Sequence, residues 1–130
     1  MSTSARQIAS PAVNCETEAF WAAANDGRLT IGHCSHCNTN HWYPRAQCPN
    51  CWKPNASLVE ASGRGKIYSF TVMRRVAQPY AVAYVTLAEG PTLLTNIVDC
   101  DLDRLAIGQD VTVTFVASVE GQKIPMFRPA

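Results

Sequence analysis

The chain has 130 residues, of which 47% are hydrophobic and 16% are charged, so it is predicted to form one globular domain or two very small ones that share an interface. Its 11 basic and 10 acidic residues leave a formal net charge of +1. A protein that binds the phosphate backbone of nucleic acids usually has a strong positive bias, and this chain has none. The composition therefore argues against nucleic acid as the main partner.

Neither a secretory signal peptide nor a membrane-spanning segment is expected. Residues 1–15 are mostly small and polar and contain no apolar stretch. No run of the sequence approaches the roughly 18 apolar residues that a membrane helix requires. Cysteines that occur in closely spaced pairs without a secretory signal are more typical of thiolates held reduced on a metal than of disulfides. We therefore expect a cytoplasmic protein that does not contact membranes.

An N-terminal helix is predicted to begin after Asn14, a good N-cap residue, and to end at Asn25-Asp26-Gly27. The helix carries the bulky pair Phe20-Trp21 among alanines and has little polar covering. A helix this short is not stable alone in water, so it has to dock on another surface. That surface is either its own domain or a partner subunit, and both alternatives remain open at the level of sequence.

Two C-x2-C turns separated by ten residues contain the cysteines Cys34, Cys37, Cys48 and Cys51. Each turn lets two thiolates reach one ion, and a short hairpin brings the second turn opposite the first. The spacing predicts a compact zinc ribbon with four thiolate ligands. A closed site of this kind leaves no coordination position for a substrate, so the zinc is expected to be structural. Cys15 and Cys100 are expected to be ordinary thiols.

The second half of the chain is predicted to consist of five short strands, at residues 66–72, 80–87, 92–98, 111–117 and 123–127. A helical turn is expected within residues 102–107, between the third and fourth strands. Five strands with this small helical element match the OB-fold barrel better than a seven-stranded sandwich. The predicted organisation is a flexible tail at residues 1–13, a helix plus zinc ribbon at 14–61, and an OB-fold at 62–130.

Alternation of side chains predicts which strand faces point into the barrel. Val111, Val113 and Phe115 share one face of the fourth strand, against threonines on the other face. In the first strand, the same spacing places Tyr68, Phe70 and Val72 on one side. These two apolar faces are the expected contributions of the two strands to the core.

Iron is the alternative metal, because a rubredoxin-like iron site uses the same two cysteine turns. A redox centre alone would leave the five-stranded barrel unexplained, so zinc is favoured. His33, His36 and His41 lie close to the cysteines in sequence, but four thiolates already complete the coordination shell. These histidines are predicted to be surface or packing residues.

Lys66, Arg74 and Arg75 are the candidate cofactor-binding residues, because they lie close in sequence to the aromatic residues Tyr68, Phe70, Tyr80 and Tyr84. On an OB barrel such a group stacks bases and binds phosphates, or contacts the adenine and phosphates of a nucleotide cofactor. The competing interpretation places the aromatic rings in the core and the basic side chains in solvent. The sequence contains no catalytic signature, so no catalytic residues are assigned.

The whole pattern resembles a known family through the ordered run Phe20-Trp21, Gly27-Arg28-Leu29, the two cysteine turns, Tyr43-Pro44-Arg45, Ser62-Gly63-Arg64-Gly65, Tyr68-Ser69-Phe70-Thr71 and Ile107-Gly108. This is the zinc-ribbon/OB-fold family of acyl-CoA-associated accessory proteins, long described as a domain of unknown function. The resemblance implies a mainly β fold with an N-terminal helix, a rubredoxin-like zinc ribbon and a C-terminal OB-fold. All four cysteines match the family's zinc positions. Asn38 and Trp52 depart from it, because a glycine usually follows each cysteine turn, and they require an adjusted backbone.

The same resemblance implies a small accessory subunit that binds or positions an acyl-CoA. Its expected partners are thiolase-like enzymes, hydroxymethylglutaryl-CoA synthases, or hydratases and aldolases of the hotdog-fold type, which supply the catalytic groups. On this interpretation the chain is not an enzyme on its own.

Two other functions stay open as alternatives. One is single-stranded nucleic-acid binding, since zinc ribbons and OB-folds both occur in that role, but the net charge of +1 predicts only weak, salt-sensitive binding. A small electron carrier requires iron in place of zinc.

Overall fold

The computed structural model describes residues 6–130 and is mainly β, with one helix, a three-stranded sheet and a closed five-stranded barrel. A short 3₁₀ turn at Leu102–Arg104 lies between the third and fourth barrel strands, as predicted. Residues 1–5 of the predicted tail lie outside the described residues. Residues 6–13 form neither helix nor strand. The elements in chain order are α1 (Glu18–Asn25), β1 (Thr30–Cys34), β2 (Asn40–His41), β3 (Ala56–Glu60), β4 (Arg64–Met73), β5 (Tyr80–Leu87), β6 (Thr92–Ile97), β7 (Asp110–Ala117) and β8 (Lys123–Pro129).

Helix α1 begins later than the sequence predicts. Its N-cap is Thr17 and not Asn14. The side chain of Asn14 instead accepts hydrogen bonds from the backbone N–H groups of Glu16 and Thr17, at 2.9 and 3.1 Å, and so stabilises the turn that precedes the helix. Asn14 therefore has the predicted capping chemistry, one turn ahead of the helix.

The helix docks on its own chain. Asn25 accepts a hydrogen bond from the backbone N–H of Lys123 at 2.9 Å, and Gln122 donates to the carbonyl of Trp21 at 3.0 Å. Phe20 is 1% exposed and contacts Trp21, Trp42 and Tyr43 edge-on, with ring centroids 4.9 to 5.4 Å apart. Of the two docking surfaces that the sequence left open, the structure therefore shows the helix on its own barrel and ribbon.

The ribbon is a small antiparallel sheet in the order β2-β1-β3. Strand β2 has only two residues, Asn40–His41, which pair with His33 and Gly32 of β1. Strand β3 pairs along the whole of β1, from Thr30 opposite Glu60 to Cys34 opposite Ala56. This pairing holds the first cysteine turn at the end of a rigid strand.

The barrel closes in the order β4-β5-β6-β8-β7, with one parallel contact between β6 and β8 and antiparallel contacts elsewhere. This strand order and the 3₁₀ turn are those of an OB-fold, which confirms the predicted fold class. On β7, Val111 is buried and Val113 and Phe115 pack against the core, as the alternation predicted.

Tyr68 does not share a face with Phe70 and Val72, because a β-bulge interrupts β4 between Ile67 and Ser69. The bulge reverses the alternation, so Ile67 is 1% exposed while Tyr68 is 67% exposed. Phe70 and Val72 still pack against the core. The predicted face was therefore wrong at its first position and correct at the other two.

Helix, ribbon and barrel share one hydrophobic core. Phe20 from α1 and Ile31 from β1 belong to the same buried cluster as Val85 and Phe127 from the barrel. At the junction, the backbone N–H of Ala61 donates to the carbonyl of Leu29 at 2.8 Å. The metal-binding turns are thus anchored through β1 to the interior of the barrel.

Candidate metal centre and relatives

The two cysteine turns adopt the same backbone geometry. Asn38 N–H donates to the carbonyl of Cys34 at 2.8 Å, and Trp52 N–H donates to the carbonyl of Cys48 at 2.9 Å. Both donors have positive φ angles, 60° for Asn38 and 66° for Trp52. This is the adjusted backbone that the missing glycines predicted, and the hydrogen bond closes each cysteine turn.

The four sulfur atoms come together at one point. The Sγ atoms of Cys34, Cys37, Cys48 and Cys51 all lie within 4.8 Å of one another. Two of these separations are 3.6 Å, between Cys34 and Cys51, and 3.7 Å, between Cys37 and Cys48. Sulfur atoms at the corners of a tetrahedron around zinc, with bonds of about 2.3 Å, lie about 3.8 Å apart. The cluster therefore fits a structural zinc ion.

Two cysteines are inside the protein and two face outward. Cys34 and Cys48 are 0% exposed, and Cys37 and Cys51 are half-buried. The other two cysteines are separate from this group: Cys15 is exposed, and Cys100 lies near the end of β6. Burial, followed by the charges of Asp101 and Asp99, raises the pKa of Cys100, so it remains an ordinary thiol at neutral pH.

Polar neighbours make one thiol of the cluster acidic. Hydrogen bonds from the Thr39 hydroxyl, at 2.9 Å, and from the Asn50 amide, at 3.5 Å, lower the pKa of Cys37 to about 5. A backbone hydrogen bond from Lys53 lowers the pKa of Cys51, but burial and the three neighbouring thiols outweigh it and raise that pKa to about 11. Backbone hydrogen bonds from Cys51 and Asn50 also lower the pKa of Cys48. A metal ion must still displace the proton of Cys51, so its affinity rises with pH.

Sequence reasoning did not identify Thr39 and Asn50 as contacts of the site. Each lies directly beside a cysteine turn, and each carries a short polar side chain that suits a hydrogen bond to sulfur. Asn50 also donates its backbone N–H to Cys48 Sγ at 3.3 Å. Groups that contact a metal ligand in this way orient it and tune its basicity. The signal available in the sequence was their position next to the turns.

The histidines have the packing and surface roles that were predicted. His33 Nδ1 lies 2.8 Å from Asn40 Oδ1 at the ribbon surface. His36 is exposed in the first turn. His41 is buried and packs over Gly32, the residue opposite it in the ribbon sheet, and neither of its ring nitrogens has a hydrogen-bond partner among residues 6–130. Burial, followed by Arg45 and His33, lowers the pKa of His41.

Lys66 is separated in the fold from Arg74 and Arg75, the two basic residues that the sequence grouped with it. Lys66 lies near the start of β4, where it forms a 2.6 Å ion pair with Asp110. Arg74 follows the end of the same strand and forms a 2.9 Å ion pair with Asp103, and Arg75 lies beside it in the loop. Lys66 also lines a cavity of 560 Å³ with Arg64 and Asp110, bounded mainly by apolar surface.

Two family models match the two parts of the chain. The model described as "ChsH2, rubredoxin-like zinc ribbon domain" matches residues 21–55, and the model described as "ChsH2, C-terminal OB-fold domain" matches residues 58–116. The zinc ribbon is therefore of the rubredoxin-like type, and structural zinc is its cofactor.

A "DUF35 domain-containing scaffold protein" from Methanothermobacter thermautotrophicus is 35% identical over 94 residues, which cover 67% of this chain and 71% of the relative. A scaffold protein of the same description from Methanocaldococcus jannaschii is 30% identical over 103 residues, or 73% of each chain. The chain belongs to the DUF35 family.

A longer relative of this DUF35 chain is a "Probable enoyl-CoA hydratase alpha subunit" from Thermomonospora curvata. It is 35% identical over 125 residues, which are 92% of this chain but 39% of the relative. The chain therefore spans well under half of that protein's length.

Among solved structures, the chain is similar to one described as "Ltp2-ChsH2(DUF35) aldolase", with a TM-score of 0.81 and 34% identity over 92% of this chain and 98% of the other. A DUF35 protein of unknown function from Sulfolobus solfataricus has a TM-score of 0.66 at 16% identity, over 89% of this chain and 86% of that chain, and supports the fold alone. Within residues 6–130 we find no helix with the length and hydrophobicity needed to cross a bilayer.

Proposed function

We propose that this DUF35 chain is a non-catalytic accessory subunit that docks on a thiolase-like or hydratase/aldolase-type enzyme and helps to position its acyl-CoA substrate. The observation that carries the proposal is the closed thiolate cluster. Four sulfur atoms within 4.8 Å of one another fill the coordination shell of a zinc ion and leave no position for a substrate. The zinc therefore shapes the ribbon, and the chemical groups that act on the thioester belong to the partner.

The relatives support the choice of partner. The hydratase alpha subunit, the structure described as an aldolase and a "Benzoylsuccinyl-CoA thiolase subunit BbsA" from Geobacter metallireducens all carry names of enzymes or enzyme subunits. The last is 32% identical over 71 residues, which are 52% of this chain and 48% of that protein. Relatives of this chain thus carry the names of different enzymes, as expected of a scaffold and not of a catalyst.

The cavity beside Lys66 is the part of this chain that we propose contacts the acyl-CoA. Its 560 Å³ lies within the range of about 300–1,000 Å³ typical of small-molecule sites. Arg64 and Lys66 would face the phosphate groups, and the apolar walls would face the uncharged part of the ligand. Arg74 and Arg75, at the other end of β4, remain predicted contacts of the same ligand. Titration of the assembled complex with CoA should give weaker binding for Lys66→Gln than for the control Lys123→Gln, which changes a surface lysine outside the cavity.

We further propose that Cys34, Cys37, Cys48 and Cys51 are the zinc ligands, that residues 14–61 and 62–130 are the functional units, and that the protein is cytoplasmic, where thiolates stay reduced. Elemental analysis should give one zinc per chain. Cys34→Ser should lose zinc and partner binding, whereas Cys15→Ser, which removes an exposed cysteine outside the cluster, should lose neither. A zinc-free Cys34→Ser protein that still binds its partner fully would show that the metal is dispensable.

The nucleic-acid alternative receives less support. The formal net charge is only +1, and none of the relatives described above has a nucleic-acid-binding name.

The proposal is tested by co-expressing the chain with the acyl-CoA enzyme encoded next to it and measuring the mass of the purified species by light scattering. We expect a stable complex with both chains in fixed ratio. A partner that assembles and purifies in the same form without this chain, and never binds it, would contradict the proposal.

A further inference from the structure

Residues 6–10 lie against the outside of the barrel. Their exposure alternates, because Arg6, Ile8 and Ser10 are half-buried while Gln7 and Ala9 are exposed. Alternation with a period of two is the pattern of a strand-like segment with one face against a surface. We call this segment the strap.

Arg6 anchors the beginning of the strap. Its guanidinium Nη2 donates to Asn96 Oδ1 at 2.6 Å, and its Cζ lies 4.0 Å from the centre of the Tyr80 ring. The same side chain thus makes a charge-assisted hydrogen bond and a cation–π contact. Asn96 is on β6 and Tyr80 is on β5, so Arg6 joins two neighbouring barrel strands.

The rest of the strap binds the loop between β7 and β8. The backbone N–H of Val119 donates to the carbonyl of Ile8 at 2.9 Å, and the backbone N–H of Glu120 donates to Ser10 Oγ at 3.2 Å. The hydroxyl of Ser10 also lies 2.8 Å from the hydroxyl of Ser118. Two loop amides and one loop hydroxyl therefore find their partners on the strap.

The barrel holds these receiving groups in place without the help of the strap. Asn96 Nδ2 donates to the carbonyl of Ala81 at 3.1 Å, which turns Oδ1 towards Arg6. Ser118 is fixed by its backbone hydrogen bonds with Gln122, at 2.8 Å, and Gly121, at 3.0 Å. A surface whose donors and acceptors are already oriented costs little to organise when a ligand binds.

The strap occupies the surface that OB barrels generally use for ligands. That surface consists of the second and third strands and of the loop between the fourth and fifth, which bind oligonucleotides and oligosaccharides in other proteins. Here the corresponding parts are β5, β6 and residues 118–122, and all three contact the strap. The segment therefore lies where a ligand would lie.

We propose that this surface is a binding site for an extended peptide, and that the strap is its built-in, displaceable ligand. Tyr80 and Asn96 bind an arginine side chain of the ligand, and the backbone N–H of Val119 binds a backbone carbonyl. The hydroxyl of Ser118 and the backbone N–H of Glu120 bind a hydroxyl group. A partner segment with an arginine and, four residues later, a serine or threonine would replace the strap in the same contacts. The proposal does not depend on the acyl-CoA role.

The first test measures whether the strap is bound in solution. Amide hydrogen exchange of Val119 and Glu120 is followed by NMR in the full-length protein and in Arg6→Ala/Ser10→Ala. We expect exchange at both amides to become at least tenfold faster in the double variant, while Gln7→Ala, which changes an exposed strap residue, leaves both rates unchanged. Equal rates in all three proteins would overturn the proposal.

The second test supplies the ligand as a separate molecule. A synthetic peptide of residues 1–13 is titrated into the double variant and into the wild type, and the shifts of the Val119 and Glu120 resonances are recorded. A tethered ligand competes at an effective concentration on the order of millimolar, so the wild type should bind the peptide at least tenfold more weakly than the double variant does. A peptide carrying Arg6→Ala should also bind the double variant at least tenfold more weakly.

Other occupants give different results. Absence of peptide binding to the double variant would overturn the proposal, and binding of oligothymidine in its place would assign the surface to nucleic acid. A wild-type dimer with protected Val119 and Glu120 amides, which dissociates in the double variant, would assign the site to the strap of a second copy and overturn the intramolecular arrangement.

Discussion

Asn38 and Trp52 occupy equivalent positions, each one residue after the second cysteine of its turn, and each donates its backbone N–H to the carbonyl of that turn's first cysteine. Their φ angles of 60° and 66° place both in the left-handed region. Asparagine tolerates this conformation, because its short side chain hydrogen-bonds locally, whereas tryptophan does not. The second turn is therefore the more strained of the two.

Replacing Trp52 with glycine should stabilise the zinc-loaded protein. The left-handed conformation costs a non-glycine residue about 1–2 kcal/mol, and the side chain is 70% exposed, so little packing is lost. The greater freedom of glycine in the unfolded chain offsets part of the gain, so we expect a net rise of about 1 kcal/mol in the free energy of unfolding, measured with urea. Trp52→Val should lower it, because a β-branched residue suits this backbone least. A lower stability for Trp52→Gly would mean that the indole ring contributes packing that its exposure does not reveal.

Gly32→Ala should destabilise the ribbon, because a Cβ at Gly32 would overlap the imidazole of His41. The ring lies over the glycine in the sheet and is itself buried. We expect a loss of about 1–3 kcal/mol, the range typical of overpacked cores. The double variant Gly32→Ala/His41→Ala should recover much of this loss. If the stability losses of the two single variants simply add in the double variant, the proposed clash between the new Cβ and His41 is contradicted.

His41 should make the stability of the ribbon depend on pH. Burial lowers its pKa in the folded protein below the ordinary 6.5, so the unfolded chain binds the proton more readily than the folded chain does. The folded state therefore loses stability as the pH falls below 6.5, until His41 itself is protonated in the fold. Unfolding curves of zinc-loaded wild type and His41→Phe between pH 7.5 and 5 should show a steeper loss in the wild type, and parallel losses would rule out His41 as a cause.

Phe20→Ala should separate the helix from the rest of the protein. Phe20 is 1% exposed and contacts three other aromatic rings from the helix and ribbon. Truncation of such a residue costs about 3–5 kcal/mol, and we expect a loss of that size in urea unfolding, with Val13→Ala at an exposed position as the control. A loss below 1 kcal/mol would mean that the helix contributes little to the shared core.

The sequence correctly predicted those features of the fold that depend on residues close together in the chain. Strand β5 begins and ends at the predicted residues, Tyr80 and Leu87, because a proline precedes it and most of its residues are aromatic or β-branched. The cysteine turns are likewise local, so their spacing sufficed to place four sulfur atoms at one point.

Features set by distant parts of the chain escaped prediction. The bulge that turns Tyr68 outward depends on the register of β4 against β5, which the sequence of β4 alone does not encode. The contacts of Arg6 and Ser10 join residues 90 and 108 positions apart. The separation of Lys66 from Arg74 follows from the length of β4, which extends beyond the predicted strand at both ends.

The central claim is that this chain completes an acyl-CoA enzyme without being one. The most direct measurement is thioester turnover by the partner enzyme alone, by this chain alone, and by the two mixed in increasing ratio. The account predicts no turnover by this chain, low turnover by the partner, and a rise that saturates when the two are present in the stoichiometry of their complex. Full turnover by the partner alone, unchanged on addition of this chain, would contradict it.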